Sequence, residues 1–269
     1  FCAASSVSGV ASTIGQEKQT NPALTQSEVE YVDQLLAGLD AFPAYYAHMG
    51  PLNAAGPTAP DLSPPRVADA AAIAARIEAG EWVVDVRDRR LFAEGHVRGT
   101  LNFGLDGSFA TYVGWLIPWG TPVTLLGETP RQVAVAQREL VRIGIDRPAG
   151  RATGRAQDLA GGTALSAFRR ASFAELAKAL AAEPPPTVLD VRRHQERERS
   201  RIDGSIGIPI HEVPARVGDL PDGEELWVHC ASGYRSSIVA AILDAHGRRV
   251  VAVDDIFDNA ADAGLPLAP

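Results

Sequence analysis

Cysteine is nearly absent from this chain of 269 residues: Cys2 and Cys230 stand at its opposite ends. Two such distant residues build neither a disulfide framework nor a zinc-ligand set, so each is judged alone. Basic residues are in deficit. Lys+Arg 25 against Asp+Glu 33 leave a net charge of -8, which excludes the basic footprint of a nucleic-acid-binding or anionic-membrane-binding surface. No apolar run approaches the ~18 residues that a spanning helix needs, and residues 1–15 lack the basic start and apolar core of a secretory signal. These absences predict a cytoplasmic protein with neither nucleic-acid nor membrane partners. What is present is ordinary globular usage, 46% hydrophobic and 22% charged, in a chain long enough for about two domains.

The opening stretch Phe1–Asn21 shows neither helix nor strand periodicity and reads as the end of something longer. Thr25 and Glu28 then suggest a capping box, followed by Val29, Val32, Leu35, Leu36 and Leu39 at helical spacing, with Gly38 as the stop. Pro51, Pro57, Pro60, Pro64 and Pro65 predict an extended linker and a boundary near residue 62.

Beyond that boundary the chain repeats itself. Val84-Asp85-Val86-Arg87 returns as Leu189-Asp190-Val191-Arg192, and Gly99 returns as Gly204. Each copy places a capped helix (Asp69; Ser172 with Glu175) before a short apolar strand. Each then continues to a second apolar strand, Val123–Leu126 or Leu226–His229, and a helix that opens near an arginine, Arg131 or Arg235. Strands alternating with helices at this spacing predict an α/β fold with a mainly parallel sheet in each copy. The expected division is 1–62, 63–160 and 161–269, with Gly161-Gly162-Thr163 near the joint.

The strand Leu226-Trp227-Val228-His229 runs directly into Cys230-Ala231-Ser232-Gly233-Tyr234-Arg235 and then a helical pattern. Alone, a cysteine closing a strand reads as a small buried hydrophobe. At the C-terminal end of a strand and just before a helix, it sits where α/β sheets bind ligands, and the backbone N–H groups of Ala231 to Arg235 with the helix N-terminus favour an anion. A thiolate there is expected below the ordinary ~8.5 and is nucleophilic near neutral pH. Gly233 supplies backbone freedom, and Arg235 presents a planar fork for an oxyanion. Two anion chemistries remain open. A tyrosine-phosphatase-like loop has one more residue between Cys and Arg, whereas the shorter spacing from Cys230 to Arg235 fits one sulfur atom carried on the cysteine better than a phosphoryl group.

The loop Cys230–Arg235, with Leu189-Asp190-Val191-Arg192 before it and Val253-Asp254-Asp255 after it, resembles the rhodanese (sulfurtransferase) domain, and residues 63–269 resemble a tandem of two. The resemblance implies that Cys230 takes a sulfane sulfur from thiosulfate or a related donor and passes it to a thiol or cyanide. The loop 231–235 would hold the persulfide, Arg235 would steer the donor, and no cofactor or metal would be needed. Two departures stand out. Gly95-His96-Val97 of the first copy fits the family's Gly-His-Ile pattern, but the second copy has Ser200-Arg201-Ile202. The first copy's loop, Gly127-Glu128-Thr129-Pro130-Arg131, has no cysteine, and Glu128 is expected to put a carboxylate where the anion would sit. Residues 63–160 are therefore expected to be inactive, with a structural or docking role, and Phe109, Tyr112, Trp115 and Trp119 read equally as an interface or as an aromatic loop folded onto its own domain.

Residues 11–24 and 43–53 resemble the C-terminal end of a metallo-β-lactamase-fold domain of the persulfide dioxygenase or glyoxalase II type, a missing partner domain in this reading. The six histidines are scattered singly, so the metal cluster of that fold is not formed here, and His48 and Cys2 read as tail residues. His229 is expected to be a hydrogen-bonded strand residue, facing away from Cys230. Asp190 and Arg192 are expected to support the loop. Arg192, Arg193, Arg197, Arg199 and Arg201, interrupted by Glu196, Glu198 and Asp203, read as a solvated face.

Overall fold

The computed structural model describes residues 11–37, 41–56, 59–106 and 108–269, so Phe1, Cys2, Gly38, Leu39 and Pro57 lie outside the described residues. The chain divides into two units, Phe1–Pro43 and Ala44–Pro269.

In the first unit three helices follow one another, Ile14–Thr20, Pro22–Thr25 and Glu28–Ala37. The stretch expected to be irregular is helical from Ile14, because Thr13 and Gln16 form a capping box. The capping pair of the third helix also differs from expectation. Thr25 ends the preceding helix, its hydroxyl donating to the Asn21 carbonyl, whereas Ser27 exchanges hydrogen bonds with Glu30. None of these helices buries a residue, and Val29, Val32, Leu35 and Leu36 are exposed.

The second unit opens with the helix Tyr46–Ala55, which carries Pro51 in its interior. The prolines predicted an extended chain here, but packing overrides that preference: His48 stacks on Trp119 at 4.0 Å, and Tyr45 lies close against Gly114. Two all-parallel sheets follow. The first contains β1 (Trp82–Asp85), β2 (Leu101–Asn102), β3 (Val123–Gly127) and β4 (Gly150–Thr153) in the order β2-β1-β3-β4. The second contains β5 (Arg169–Ala171), β6 (Thr187–Asp190), β8 (Ile206–Gly207), β9 (Glu225–His229) and β10 (Arg249–Val253) in the order β5-β10-β9-β6-β8. A separate antiparallel pair joins β7 (Arg201–Ile202) to β11 (Leu267–Ala268).

The central strands read as almost uninterrupted apolar runs because helices cover both faces of a parallel sheet. The helix leading into β1 is capped by Asp69, and the one leading into β6 by Ser172 with Glu175. The repeat is therefore built into matching elements. Asp85 and Arg87 form a buried ion pair (2.7 Å) in the first sheet, as Asp190 and Arg192 do (2.8 Å) in the second. Each arginine also donates to a carbonyl, that of Gly95 or of Ser200. Gly99 and Gly204 both adopt positive φ, 85° and 73°.

Candidate active site

β9 ends at His229, and Cys230 begins the turn that leads into the helix Tyr234–Ala245. Cys230 is 1% exposed and belongs to the apolar core. Its Sγ lies 3.6 Å from Ser236 Oγ, and that hydroxyl is 2.9 Å from the Gly233 carbonyl and 2.8 Å from the Val253 carbonyl. Gly233 has φ 87° and ψ -22°, in the left-handed region, and reverses the chain at the head of the helix. A Cβ there would run into the Asp254 carboxylate and come within 3.0 Å of the Asp254 Cα. Glycine is thus fixed both by conformation and by space.

Among the described residues, no protein acceptor engages the backbone N–H groups of Ala231, Ser232, Gly233, Tyr234 and Arg235. The corresponding turn of the first sheet is filled from within. Gln132 Oε1 accepts from the N–H groups of Glu128 (2.7 Å) and Thr129 (3.2 Å). The expected blocker, the Glu128 carboxylate, is therefore displaced by a glutamine side chain, while Glu128 stays exposed. Residue 132 stands one turn into the helix that Thr129 caps, so its amide folds back as the second half of a capping box.

The other site residues fall into place around this turn. Arg235 reaches across to Glu196 with two hydrogen bonds, Nη1 to Oε2 at 2.6 Å and Nη2 to Oε1 at 2.7 Å. Burial pushes the Glu196 carboxyl up, but the Arg235 guanidinium outweighs it and leaves its pKa at about 2. Sequence reasoning placed Glu196 on a solvated face. The short helix His194–Arg199 instead turns it toward the loop, and Arg197 of the same basic run bonds Asp190 and Ser205. Asp190 and Arg192 sit beneath the site as a buried pair, and the Arg192 guanidinium stacks 3.6 Å from the Phe257 ring centroid.

His229 departs from expectation. It is 0% exposed, and among the described residues its ring nitrogens have no hydrogen bond of good geometry, only a weak approach to the Cys230 backbone. It stacks on Phe257, with Asp190 Oδ2 3.7 Å away, because Asp190 and His229 are register partners on β6 and β9 and point to one face. Burial drives its pKa down to about 4, the nearby Asp190 charge opposing.

The first sheet's half also borders the loop. Tyr234 donates its hydroxyl to the Gly104 carbonyl at 2.8 Å, the Tyr112 and Tyr234 rings lie 5.5 Å apart, and Trp115 contacts His211. Arg89 bonds Asp254, which also accepts from Arg170. Of the four aromatic residues proposed for an interface, Tyr112 and Trp115 face the second half, Trp119 pairs with His48, and Phe109 is in the core.

No helix among the described residues is long and apolar enough to cross a membrane, and no group of three or more His, Cys, Asp or Glu among them is arranged to hold a metal ion.

Among known families, one model matches one part of the chain. The family model for the rhodanese-like domain matches residues 172–259. YrkF of Bacillus subtilis is 36% identical over 64 residues, covering 24% of this chain and 35% of that protein. A sulfurtransferase of Allochromatium vinosum is 28% identical over 93 residues, covering 34% of this chain and 87% of its own. The chain spans little more than a third of the length of the first curated relatives it matches. Among solved structures, a metallo-beta-lactamase of Staphylococcus aureus aligns with 52% of this chain and 39% of its own, at 27% identity and a TM-score of 0.42. The segment that contains Cys230, its loop, Glu196 and the Asp190–Arg192 pair, residues 172–259, is thus the part of the chain that matches the rhodanese-like domain.

Proposed function

We propose that the chain is a sulfurtransferase in which Cys230 is the nucleophile and sulfur carrier. The observation that carries this reading is the set of unengaged N–H groups from Ala231 to Arg235 around a cysteine at the end of a parallel strand. A persulfide is an anion with a weak S–S bond, and such a turn stabilises the charge during both capture and release. The Cys230 thiolate attacks the outer sulfur of thiosulfate, the bond to the sulfonate sulfur breaks, and sulfite leaves with the electron pair. A thiol or cyanide then takes the sulfur. With Cys230 the lone free cysteine among the described residues, the acceptor is external.

In this reading residues 63–160 are an inactive rhodanese-like domain, 161–269 the catalytic one, and 1–62 the end of a metallo-β-lactamase-fold domain with its linker, in a cytoplasmic protein. The Gln132-filled turn favours inactivity of the first copy. A second reading makes the tandem a sulfur-relay or docking module of a metallo-β-lactamase-fold persulfide dioxygenase or hydrolase, without turnover of thiosulfate; the exposed apolar side chains of the helix Glu28–Ala37 favour it. Intact mass after incubation with thiosulfate separates the two. Gain of one sulfur, removable by a thiol reductant and absent from Cys230→Ala, is expected of the sulfurtransferase; loading by a low-molecular-weight persulfide but not by thiosulfate is expected of the relay.

A further inference from the structure

The fork that an oxyanion donor would use is already occupied. Both terminal nitrogens of Arg235 bond the Glu196 carboxylate, with side-chain exposures of only 11% and 25%. The carboxylate is itself held, since the Arg193 backbone N–H donates to Oε2 at 3.1 Å and the Arg193 Nε lies 3.5 Å from the same oxygen. It is thus a fixed anion at the guanidinium that the Cys230 loop supplies. Its pairing keeps it ionised across neutral and mildly acidic pH.

We propose that Glu196 is a specificity-determining residue that makes the Cys230 site select against doubly charged sulfur donors in favour of singly charged ones. The inference rests on the reading of Cys230 as a sulfur acceptor. Coulomb repulsion scales with the product of charges, so a dianion entering beside Glu196 meets twice the repulsion that a monoanion meets. Thiosulfate and methanethiosulfonate make this comparison almost isosteric. Each delivers its outer sulfur to the Cys230 thiolate by the same displacement, sulfite leaving from the dianion and methanesulfinate from the monoanion, with the electron pair in both cases.

Glu196→Gln keeps the shape and a hydrogen-bond acceptor for Arg235 while removing the charge, and Glu196→Asp keeps the charge. The rate of sulfur loading of Cys230, followed by intact mass for the full chain, gives a thiosulfate-to-methanethiosulfonate ratio for each protein. We expect Glu196→Gln to raise that ratio roughly tenfold and Glu196→Asp to leave it within about twofold of the parent. An unchanged ratio in Glu196→Gln, with both donors slowed alike, would overturn the inference and reduce Glu196 to a holder of Arg235, while sulfur transfer itself stood. Absence of loading from either donor in every protein would remove the transfer reading and this inference together.

Discussion

Gly233 concentrates the demands of the loop in one residue. Its positive φ places any side chain in a strained region, and the Asp254 carboxylate and backbone fill the space a Cβ would need. Gly233→Ala is expected to destabilise the fold by roughly 2 kcal/mol or more and to abolish sulfur loading, read by thermal unfolding and intact mass. His229 makes a different contribution, a fully buried imidazole stacked on Phe257. Its folded pKa of about 4 lies below the ordinary 6.5, so the unfolded chain binds the extra proton first and stability falls as pH drops from 6.5 through 4. Removing the titrating ring in His229→Leu is expected to recover up to roughly 3 kcal/mol of that loss, with a smaller change near pH 8; equal acid sensitivity in parent and variant would contradict this cause. Legibility at this scale was uneven. Cys230, Gly233 and Arg235 announce themselves through order and spacing, whereas Glu196 gave no signal, being one acidic residue in a basic run. Its role exists only because the helix His194–Arg199 brings it to Arg235, a contact between residues far apart in sequence. Residue 196 lies six positions after Asp190, as 91 does after 85, and the first copy carries Leu91 there, so a residue-by-residue comparison of the copies could have singled it out.

The helix Tyr234–Ala245 is the element on which the site depends. It buries nearly every residue from Tyr234 to Leu243, and Ser236 and Ser237 are part of that buried face. Ser236 links three pieces of structure, the Cys230 thiol, the Gly233 carbonyl and the end of β10 at Val253. Ser236→Ala is expected to cost about 1–2 kcal/mol in chemical denaturation, because buried carbonyls lose a donor, and to slow sulfur loading more than Ser237→Ala does. A Ser237→Ala effect of equal size would point to general loosening of the helix instead. Strands and their flanking helices were readable at this scale because apolar runs, caps and the repeated Asp-Val-Arg all agree. The helix Tyr46–Ala55 was not, since its proline argues against helix and the packing that overrides it comes from residues far along the chain, Gly114, Trp119 and Gly144 among them.

Across residues 44–269 the two sheets share one core. Val84, Phe103 and Val113 from the first half and Ile210, Cys230 and Tyr234 from the second belong to a single apolar cluster. Polar contacts tie the same boundary: His96 meets Asp244 at 3.0 Å, Arg89 pairs with Asp254, and Tyr234 bonds Gly104. A half whose turn is closed by Gln132 thereby acts on the half that carries Cys230, since removing it would uncover Tyr234 and strip His96 from Asp244 and Arg89 from Asp254. Unfolding of this region is therefore expected to be one cooperative transition, with tryptophan fluorescence and far-ultraviolet circular dichroism giving coincident midpoints in urea. Trp82, Trp115 and Trp119 report on the first half and Trp227 on the second, so replacing either set shows whether both halves move together. Tyr234→Phe removes only the hydroxyl that bonds Gly104 and is expected to lower the common midpoint by an amount equivalent to about 1 kcal/mol while preserving coincidence. Two separated transitions in the parent chain, with Tyr234→Phe shifting only one, would show that the shared core does not couple the halves.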